Sequence, residues 1–152
     1  MFLAKHEIER HFPSLIQGGD ATGIHEVSYA LRVGDEVYRS EEQLPDRLSP
    51  DKDPYVIIRP GQFALVQTLE VVKVPAEYVG FISIRSEYKF QGLVNVSGFH
   101  VDPAFVGHLI FAVQNVGPND IRLRHGEPAF MMMWAKLSEA YRPPEGTSQR
   151  PR

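Results

Sequence analysis

Short apolar runs separated by turn residues dominate the chain from residue 55 onward. Each run is rich in Val, Ile, Leu or Phe, and Gly or Pro residues stand between the runs. The runs cover residues 55–58, 63–74, 79–84, 92–96, 109–115 and 129–137. Several short strands with turns between them, and no long helical period, predict an all-β sandwich or barrel.

The first part of the chain has a different pattern. Apolar residues spaced among charged ones predict a short amphipathic helix over residues 3–12, ended by Pro13. Residues 27–34 have the composition of a strand that ends in a turn. Residues 40–54 are rich in Asp, Glu and Pro, which predicts a surface loop.

The length of 152 residues suits one domain with a real core. We expect this domain to span residues 1–140. Residues 141–152 have no apolar anchor, and we expect them to form a flexible tail. The run Met131-Met132-Met133-Trp134 predicts a strand buried on both faces, because apolar strand runs usually belong to a core.

Composition then excludes several classes of function. The formal net charge of -3 argues against a general DNA- or RNA-binding protein, which usually carries a basic surface. The absence of cysteine excludes disulfides and cysteine-based zinc sites. No apolar run approaches the roughly 20 residues of a membrane span. Without a signal-peptide pattern either, we expect a cytoplasmic protein.

Six histidines raise the question of a metal site. None of them has the paired spacing of zinc ligands, and the segment His100-Val101-Asp102 supplies one imidazole. We therefore expect no transition-metal site built by the protein alone.

Two segments could carry chemistry. Arg85-Ser86-Glu87 follows an apolar run, where an arginine, a hydroxyl and free backbone amides could form a phosphate cradle. An arginine at a strand end is also often a surface residue or half of an ion pair. Asp102 precedes Pro103, so it could cap a turn, or it could bind a sugar hydroxyl or orient a water as general base. These residues alone leave both readings open.

An ordered series of motifs resembles the dCTP deaminase and trimeric dUTPase superfamily, nearer its deaminase branch. The series covers roughly residues 1–137. Residues 28–34, SYALRVG, resemble the family's SYDLRLG, and Pro60-Gly61 begins a passage similar to its PG…T.E…lP…G. Arg85-Ser86-Glu87 stands where the family has RSS. Residues 98–107 are similar to its A-x-x-IDPGWxG element, residues 109–115 to ITLExxN, and residues 123–134 to L.PGMxIAQLxF.

This resemblance implies a distorted β-barrel, dUTPase-like and related to the jelly roll. It also implies a homotrimer with active sites between subunits, which bind a pyrimidine deoxynucleoside triphosphate together with Mg²⁺. Carried over residue by residue, Arg85 and Ser86 would meet the phosphates. Gly98 would leave room for the base and sugar. Asp102 would face the deoxyribose and is the candidate catalytic residue. The remaining residues expected at the nucleotide are Glu87, Lys89, His100 and Ala112.

Several positions depart from the family pattern. Ala112 replaces the glutamate that shuttles protons in the deaminase, a role worth about two to four orders of magnitude in rate. Phe90 replaces the arginine that closes RSSLAR, and Ala30 replaces the aspartate of SYDLRLG. Glu87 places a carboxylate where the family has serine, which Lys89 could offset.

Three hypotheses follow. The first is a hydrolase that deaminates dCTP, with His100 or Glu87 as a replacement base, or that releases pyrophosphate from dUTP through Asp102. The second is a family member with impaired catalysis that binds a nucleotide or a protein as a sensor or regulator. The third is a structural trimer that binds no nucleotide.

Overall fold

A computed structural model describes residues 1–145 of the 152 in the chain. The end of the predicted tail, residues 146–152, lies outside the described residues. Within the described part, the predicted N-terminal helix is present as α1 (Lys5–Leu15), and a second helix, α2 (Ser86–Lys89), lies midway along the chain. Neither of these helices has the length and apolar character needed to cross a membrane.

Antiparallel strands are the main secondary structure of the described chain. They are β1 (Ile16–Gln17), β2 (Tyr29–Arg39), β3 (Asp46–Arg47), β4 (Tyr55–Ile58), β5 (Phe63–Lys73), β6 (Tyr78–Ile84), β7 (Leu93–Asn95), β8 (His100–Val101), β9 (Val106–Asn115), β10 (Ile121–Arg124) and β11 (Pro128–Lys136).

One large sheet has the strand order β7-β9-β5-β2-β11-β6-β8, with β1 paired to β5 and β3 paired to β2. A separate two-stranded antiparallel sheet pairs β4 with β10. The large sheet curls into a half-barrel, so the prediction of an all-β, barrel-like fold with a short N-terminal helix is confirmed.

A bulge lets the sheet curl where β2 crosses β5. The pairing register shifts between Val33 and Val37, and Gly34 lies within that shift. A Cβ on Gly34 would lie 2.7 Å from the backbone of Gln67 and Thr68, so a larger residue would push the two strands apart. The glycine of the SYALRVG segment is therefore required by the close approach of two backbones.

The core forms from the inward positions of the long strands. Phe111 of β9 and Phe130 of β11 are both buried, and their rings stack with centroids 4.0 Å apart. On β11, Phe130, Met132 and Trp134 are fully buried, whereas the alternate residue Met133 is only half-buried. The prediction that this strand is buried on both faces is wrong for the single chain, because its outer face has no covering layer.

The helix prediction also needs correction. Pro13 lies inside α1, which continues to Leu15. Proline removes one helical hydrogen bond, and its ring normally clashes with the preceding turn. Here Ile8 and Leu15 are fully buried on the sheet side while Pro13 is exposed, so packing of the apolar face keeps the last turn helical.

The six strands expected after residue 55 are present, and several short strands were missed. β10 reads Ile121-Arg122-Leu123-Arg124, a clean alternation of buried and exposed residues over four positions. β8 is a two-residue strand that pairs with Phe81 and Gly80 of β6. Residues 40–54 are largely loop, as expected, but Asp46 and Arg47 form β3 against β2.

Candidate functional site

Arg85 occupies the junction between β6 and α2. Its backbone amide donates to the Ala129 carbonyl at 3.0 Å, which fixes the end of β6 against β11. Its side chain lines two adjoining cavities of about 240 and 200 Å³, which also share His25 and Ala30. Ser86 lines the second cavity. We call these joined spaces the Arg85 cavity.

The size of the cavity limits what it can hold. Pockets that enclose a whole small molecule typically have roughly 300–1,000 Å³. Each of the two spaces is smaller than this range. Either space alone could accept one or two phosphate-sized groups, and only the two joined spaces together reach the lower part of this range.

A buried ionic cluster forms one wall of the Arg85 cavity. The Glu70 carboxylate is fully buried and accepts hydrogen bonds from Arg32 Nε at 2.7 Å, from the Arg32 backbone amide at 3.0 Å and from Tyr29 Oη at 3.1 Å. Arg32 also donates to the Gly18 carbonyl at 2.8 Å. Burial, and then the Glu70 charge, raise the pKa of Tyr29 to about 12, although the Asp20 amide that donates to its oxygen opposes this shift.

A second buried contact holds α2. Tyr88 is 3% exposed and its hydroxyl donates to Glu127 at 3.0 Å. Burial, followed by the Glu127 contact, raises the pKa of Tyr88, so the phenol stays neutral and remains a donor. Two separated tyrosine–carboxylate contacts thus fix the backbone on either side of Arg85 and limit the reorganisation needed to bind a ligand.

The two arginines that line the Arg85 cavity differ in their ion pairs. Arg32 is paired with Glu70, but no carboxylate of the described residues lies within ion-pair distance of Arg85. Ala30 lines the cavity beside Arg85, at the position where the similar motif carries aspartate. Arg85 is therefore a cation whose planar donors remain available for a phosphate or carboxylate.

Glu87 and Lys89 do not line the Arg85 cavity. Both are exposed on α2, and Lys89 Nζ lies 5.2 Å from the centre of the Phe90 ring. Phe90 itself is 82% exposed. The expectation that Lys89 offsets Glu87 at the phosphates has no contact within one chain to support it.

His100 begins β8, and Asp102 lies on the bend between β8 and β9. His100 Nε2 is 3.2 Å from Asp102 Oδ1, and both side chains are substantially exposed. Gly98, with φ +81°, precedes them, and the space above its Cα is open. Ala104 follows with φ 69°, a conformation that favours glycine, and the similar family element has glycine there.

Ala112 lies on the outer surface of β9. Leu109, Phe111 and Val113 point into the core, so Ala112 belongs to the alternate, outward set. We call the outward positions of β9 and β5 around it the Ala112 face; they include Ile110, Gln114, Leu65 and Gln67.

This face offers no proton carrier beside Ala112. Leu65 is its partner across the strand pair, and Val96 donates its backbone amide to the Ala112 carbonyl. His108 is four residues away along β9, roughly 13 Å, and its Nδ1 lies 2.8 Å from the Thr68 carbonyl oxygen. Neither His100 nor Glu87 is on β9 or on the neighbouring β5.

One chain does not bring the sequence-predicted residues together. Val101 pairs with Gly80, and Arg85 lies five residues beyond Gly80 along β6. At about 3.3 Å per residue, roughly 16 Å separate Arg85 from the start of the Asp102 bend. Ala112 lies on β9, four strand positions from β6 in the sheet. The Arg85 cavity and the Asp102 bend are therefore apart in one chain, whereas Gly98 lies two residues after Val96, whose amide donates to Ala112.

The structure adds cavity residues that were not singled out from the sequence. Tyr29, Arg32 and Glu70 belong to motifs already recognised, SYALRVG and the T.E pair, so their presence in those motifs was an available signal. His25 had no such signal. It reaches the cavity because residues 21–25 turn back over the Tyr29 ring.

The chain belongs to a known family. The sequence model of the family described as dCTP deaminase-like matches residues 2–137. A relative named dCTP deaminase from Thermococcus gammatolerans is 33% identical over 150 residues, which cover 98% of this chain and 91% of the relative. The resemblance seen in the sequence motifs is confirmed at the level of the family.

Solved structures agree on the fold. The structure of 2'-deoxycytidine 5'-triphosphate deaminase from Agrobacterium tumefaciens is similar with a TM-score of 0.71 at 16% identity; the match covers 88% of this chain and 47% of that chain. Native EIAV dUTPase gives a TM-score of 0.51 at 19% identity, covering 80% of this chain and 98% of that chain. This chain thus spans about half the length of the first structure.

Proposed function

We propose that this protein is a hydrolase of the dCTP deaminase type that acts on a pyrimidine deoxynucleoside triphosphate. The observation that carries the proposal is the Arg85 cavity, in which Arg85 lies next to Ser86 and forms no ion pair with a carboxylate of residues 1–145. The name of the relative, dCTP deaminase, supports the substrate class. A deoxynucleotide substrate would also agree with the expected cytoplasmic location.

Between the two reactions considered, the side chains favour release of pyrophosphate from dUTP. Asp102 retains a carboxylate that can orient an attacking water. Ala112 has a methyl group where deamination needs an acid and base, and its strand neighbours are apolar or amide residues. On this proposal, Asp102 is the catalytic residue, and Gly98 and His100 lie beside the base and sugar.

Mg²⁺ enters this proposal as part of the substrate. Within residues 1–145, no group of three or more His, Asp or Glu side chains could hold a metal ion. Asp20 and Glu26 line the Arg85 cavity, and a magnesium ion that is bound to phosphates commonly takes one or two carboxylates. These two residues would hold it, and the ion would neutralise phosphate charge.

We also propose a homotrimer in which each site combines groups from neighbouring copies. The roughly 16 Å along the strands between Arg85 and the Asp102 bend leaves room for a neighbouring copy to contribute one of the two groups to a site. Exposed apolar residues are available for the contact: Val106 and Ile110 on β9 are 66% and 61% exposed. Burial of these residues in a closed ring would remove their apolar surface from water.

The direct experiment supplies dCTP or dUTP with Mg²⁺ to the purified protein and measures ammonia and pyrophosphate separately. We expect pyrophosphate from dUTP, lost by at least about 100-fold in Asp102→Asn. Asp51→Asn, in the exposed 40–54 loop, is the matched control and should match the wild type. Pyrophosphate release that survives Asp102→Asn would exclude Asp102 as the water-orienting group.

A complementation experiment tests the shared site. Arg85→Ala and Asp102→Asn proteins, inactive alone, are co-expressed so that mixed trimers form. Random mixing should give about a quarter of the sites an intact Arg85 from one copy and an intact Asp102 from another. Activity near that fraction supports sites between subunits, whereas no recovery in verified mixed trimers rules them out.

The second candidate is a nucleotide-binding member without turnover. Ala112 and the exposed Phe90 favour it, because both replace groups that the family uses in chemistry. Thermal stabilisation by dCTP or dUTP with neither ammonia nor pyrophosphate produced would support this reading, since a ligand that binds the folded state raises its stability.

A further inference from the structure

The two-stranded sheet of β4 and β10 turns one face to the core and the other outward. Its buried residues are Val56, Ile58, Ile121 and Leu123. The alternate positions point outward, because side chains on a strand point to its two faces in turn. We call this outward set the Arg122 face; it consists of Tyr55, Ile57, Arg122 and Arg124.

Neither arginine of the Arg122 face forms an ion pair with a carboxylate of the described residues. Arg122 instead stacks on Tyr55, with its guanidinium carbon 4.4 Å from the centre of a ring that is 45% exposed. Stacking holds the guanidinium flat and leaves its N–H edge available to a planar anion. Asp53 and Asp120 precede the two strands, so the positive charge is confined to the strands themselves.

The backbone of Arg122 also points away from β4. His125 donates its amide to the Pro54 carbonyl at 2.6 Å, so these two residues form a hydrogen-bonded pair. Such pairs alternate with non-hydrogen-bonded ones along an antiparallel ladder, and Ile57–Arg122 is therefore non-hydrogen-bonded. The Ile57 carbonyl accordingly accepts from Arg39 at 3.2 Å on the other edge of β4. The N–H and C=O of Arg122 thus point to the free edge of β10, where no strand pairs within the described chain.

We propose that the Arg122 face docks an extended acidic segment of a partner protein, which adds to the free edge of β10 as a third strand. The N–H and C=O of Arg122 would bond to the main chain of that segment, as in other peptides that extend a sheet. Carboxylates at alternate positions of an extended segment lie about 7 Å apart, which matches the spacing of Arg122 and Arg124 along β10. The same surface would therefore supply main-chain bonds and two charge pairs.

The charges and the backbone favour an acidic peptide over other occupants. A single-stranded nucleic acid would use the same arginines and the Tyr55 ring. However, the face has two arginines in a chain with a formal net charge of -3. The Arg122 carbonyl at the free edge would also oppose a phosphate, whereas it would accept a hydrogen bond from a peptide amide. Arginines on an open edge can also serve only to prevent pairing with another chain, and this role predicts no peptide binding.

The probe is a short synthetic peptide that alternates glutamate with valine, titrated into the full chain by calorimetry at low salt. Arg122→Gln combined with Arg124→Gln removes both charges and should weaken binding about tenfold, the effect of two exposed ion pairs. The matched control combines Arg10→Gln with Arg47→Gln, which changes the net charge equally at exposed arginines on α1 and β3. The control should bind within a factor of about two of the wild type.

Charge reversal separates ion pairing from any loss of structure. Arg122→Glu combined with Arg124→Glu should lose the glutamate peptide and gain a peptide that has lysine in place of each glutamate. A misfolded variant would gain neither peptide. Failure of a folded reversed variant, verified by urea denaturation, to bind the lysine peptide would overturn the proposed charge pairing.

Methylation of the peptide nitrogens that face β10 tests the added strand. It removes main-chain donors and should weaken binding at least about tenfold, whereas methylation of the alternate nitrogens should have less effect. Equal affinities of the two methylated peptides would overturn the strand arrangement.

Three further results would overturn the proposal. The first is no binding of the glutamate peptide, or equal binding by the wild type and the Arg122→Gln/Arg124→Gln variant, which would leave edge protection as the role of the arginines. The second is tighter binding of a short oligothymidylate than of the peptide. The third is loss of self-association in the double variant, measured by sedimentation, which would assign the face to a second copy of this chain. None of these measurements depends on turnover of a nucleotide.

Discussion

The Arg85 cavity and the Ala112 face differ in how much of the protein supports them. Around Arg85, a buried Tyr29–Glu70 contact, a partly buried Tyr88–Glu127 contact and the Arg32–Glu70 ion pair fix the surrounding backbone. Around Ala112, the strand positions carry apolar or amide side chains on an open sheet surface. The comparison supports the proposal that the Arg85 cavity holds phosphates, and Ala112 supplies no ionisable group for a deamination.

The ion pair beside the Arg85 cavity has an energetic cost. Burying the Glu70 carboxylate requires desolvation that only close pairing can offset, and such pairs often add little net stability. An ion pair with a fully buried carboxylate, next to an Arg85 that forms no ion pair with the described residues, is better explained by the geometry that it imposes on the cavity wall. The Ala112 face needs no comparable support if it acts as a contact surface.

The largest expected effect comes from breaking the buried cluster. Arg32→Ala leaves the Glu70 carboxylate buried without its cation, which should lower the free energy of unfolding by about 3–5 kcal/mol. Urea denaturation gives this value. The control is Arg47→Ala, which removes an exposed pair with Glu36 and should cost about 0–1 kcal/mol. Equal losses in the two variants would show that the cluster is not a structural support.

The main strands could be predicted from the sequence, whereas features that depend on tertiary packing could not. Local alternation and turn residues were sufficient for the main strands, because side chains on a strand point alternately to its two faces. Pro13 was misjudged because its cost is offset by tertiary packing of Ile8 and Leu15. His25 could not be found at all, since its place depends on how residues 21–25 fold over Tyr29.

On the outer face of β11, the sequence predicted more burial than the single chain shows. Met131 and Met133 looked like core residues because they are apolar, and they are half-buried in the single chain. Composition records that a surface is apolar but not whether the covering layer is the same chain or another copy. The motif series identified Arg85, Ser86 and Asp102 as candidates, while their separation of roughly 16 Å or more follows only from the strand register.

Restoring chemistry at the Ala112 face is the next test. Ala112→Glu combined with Phe90→Arg should raise ammonia release from dCTP by about 100-fold over the wild type, the lower end of the effect of a positioned acid or base. Ala112→Gln with Phe90→Arg is the control, because it has the shape but not the ionisable group. An equal gain in the control, or ammonia release by the wild type at the rate of the restored variant, would refute the argument from Ala112.

Stability at alkaline pH tests the role of Tyr29 in the wall of the Arg85 cavity. The pKa of Tyr29 is raised from 10.0 to about 12 by burial, so the folded state favours the neutral phenol. Its contribution to stability is complete below about pH 10 and is lost as the pH rises toward about 12, a change on the order of 2 kcal/mol.

Unfolding free energies measured across this range should decline less steeply in Tyr29→Phe than in the wild type. Tyr88, whose pKa is also raised, accounts for a remaining decline. Tyr141→Phe, at a 44% exposed position, is the control and should keep the wild-type slope. An unchanged slope in Tyr29→Phe would mean that its phenol does not couple to folding.

The smallest effect is expected at the Asp102 bend, where Ala104 adopts φ 69°. A left-handed conformation costs an L-residue roughly 1–2 kcal/mol, and glycine avoids most of that cost while adding freedom to the unfolded chain. Ala104→Gly should therefore raise the free energy of unfolding by about 0.5–1 kcal/mol, measured by urea denaturation. Ala140→Gly, exposed and without a positive φ, should instead lower it slightly. Destabilisation by Ala104→Gly would mean that the alanine methyl makes a compensating contact, and that this bend, like the Arg85 cavity, is held in place by packing.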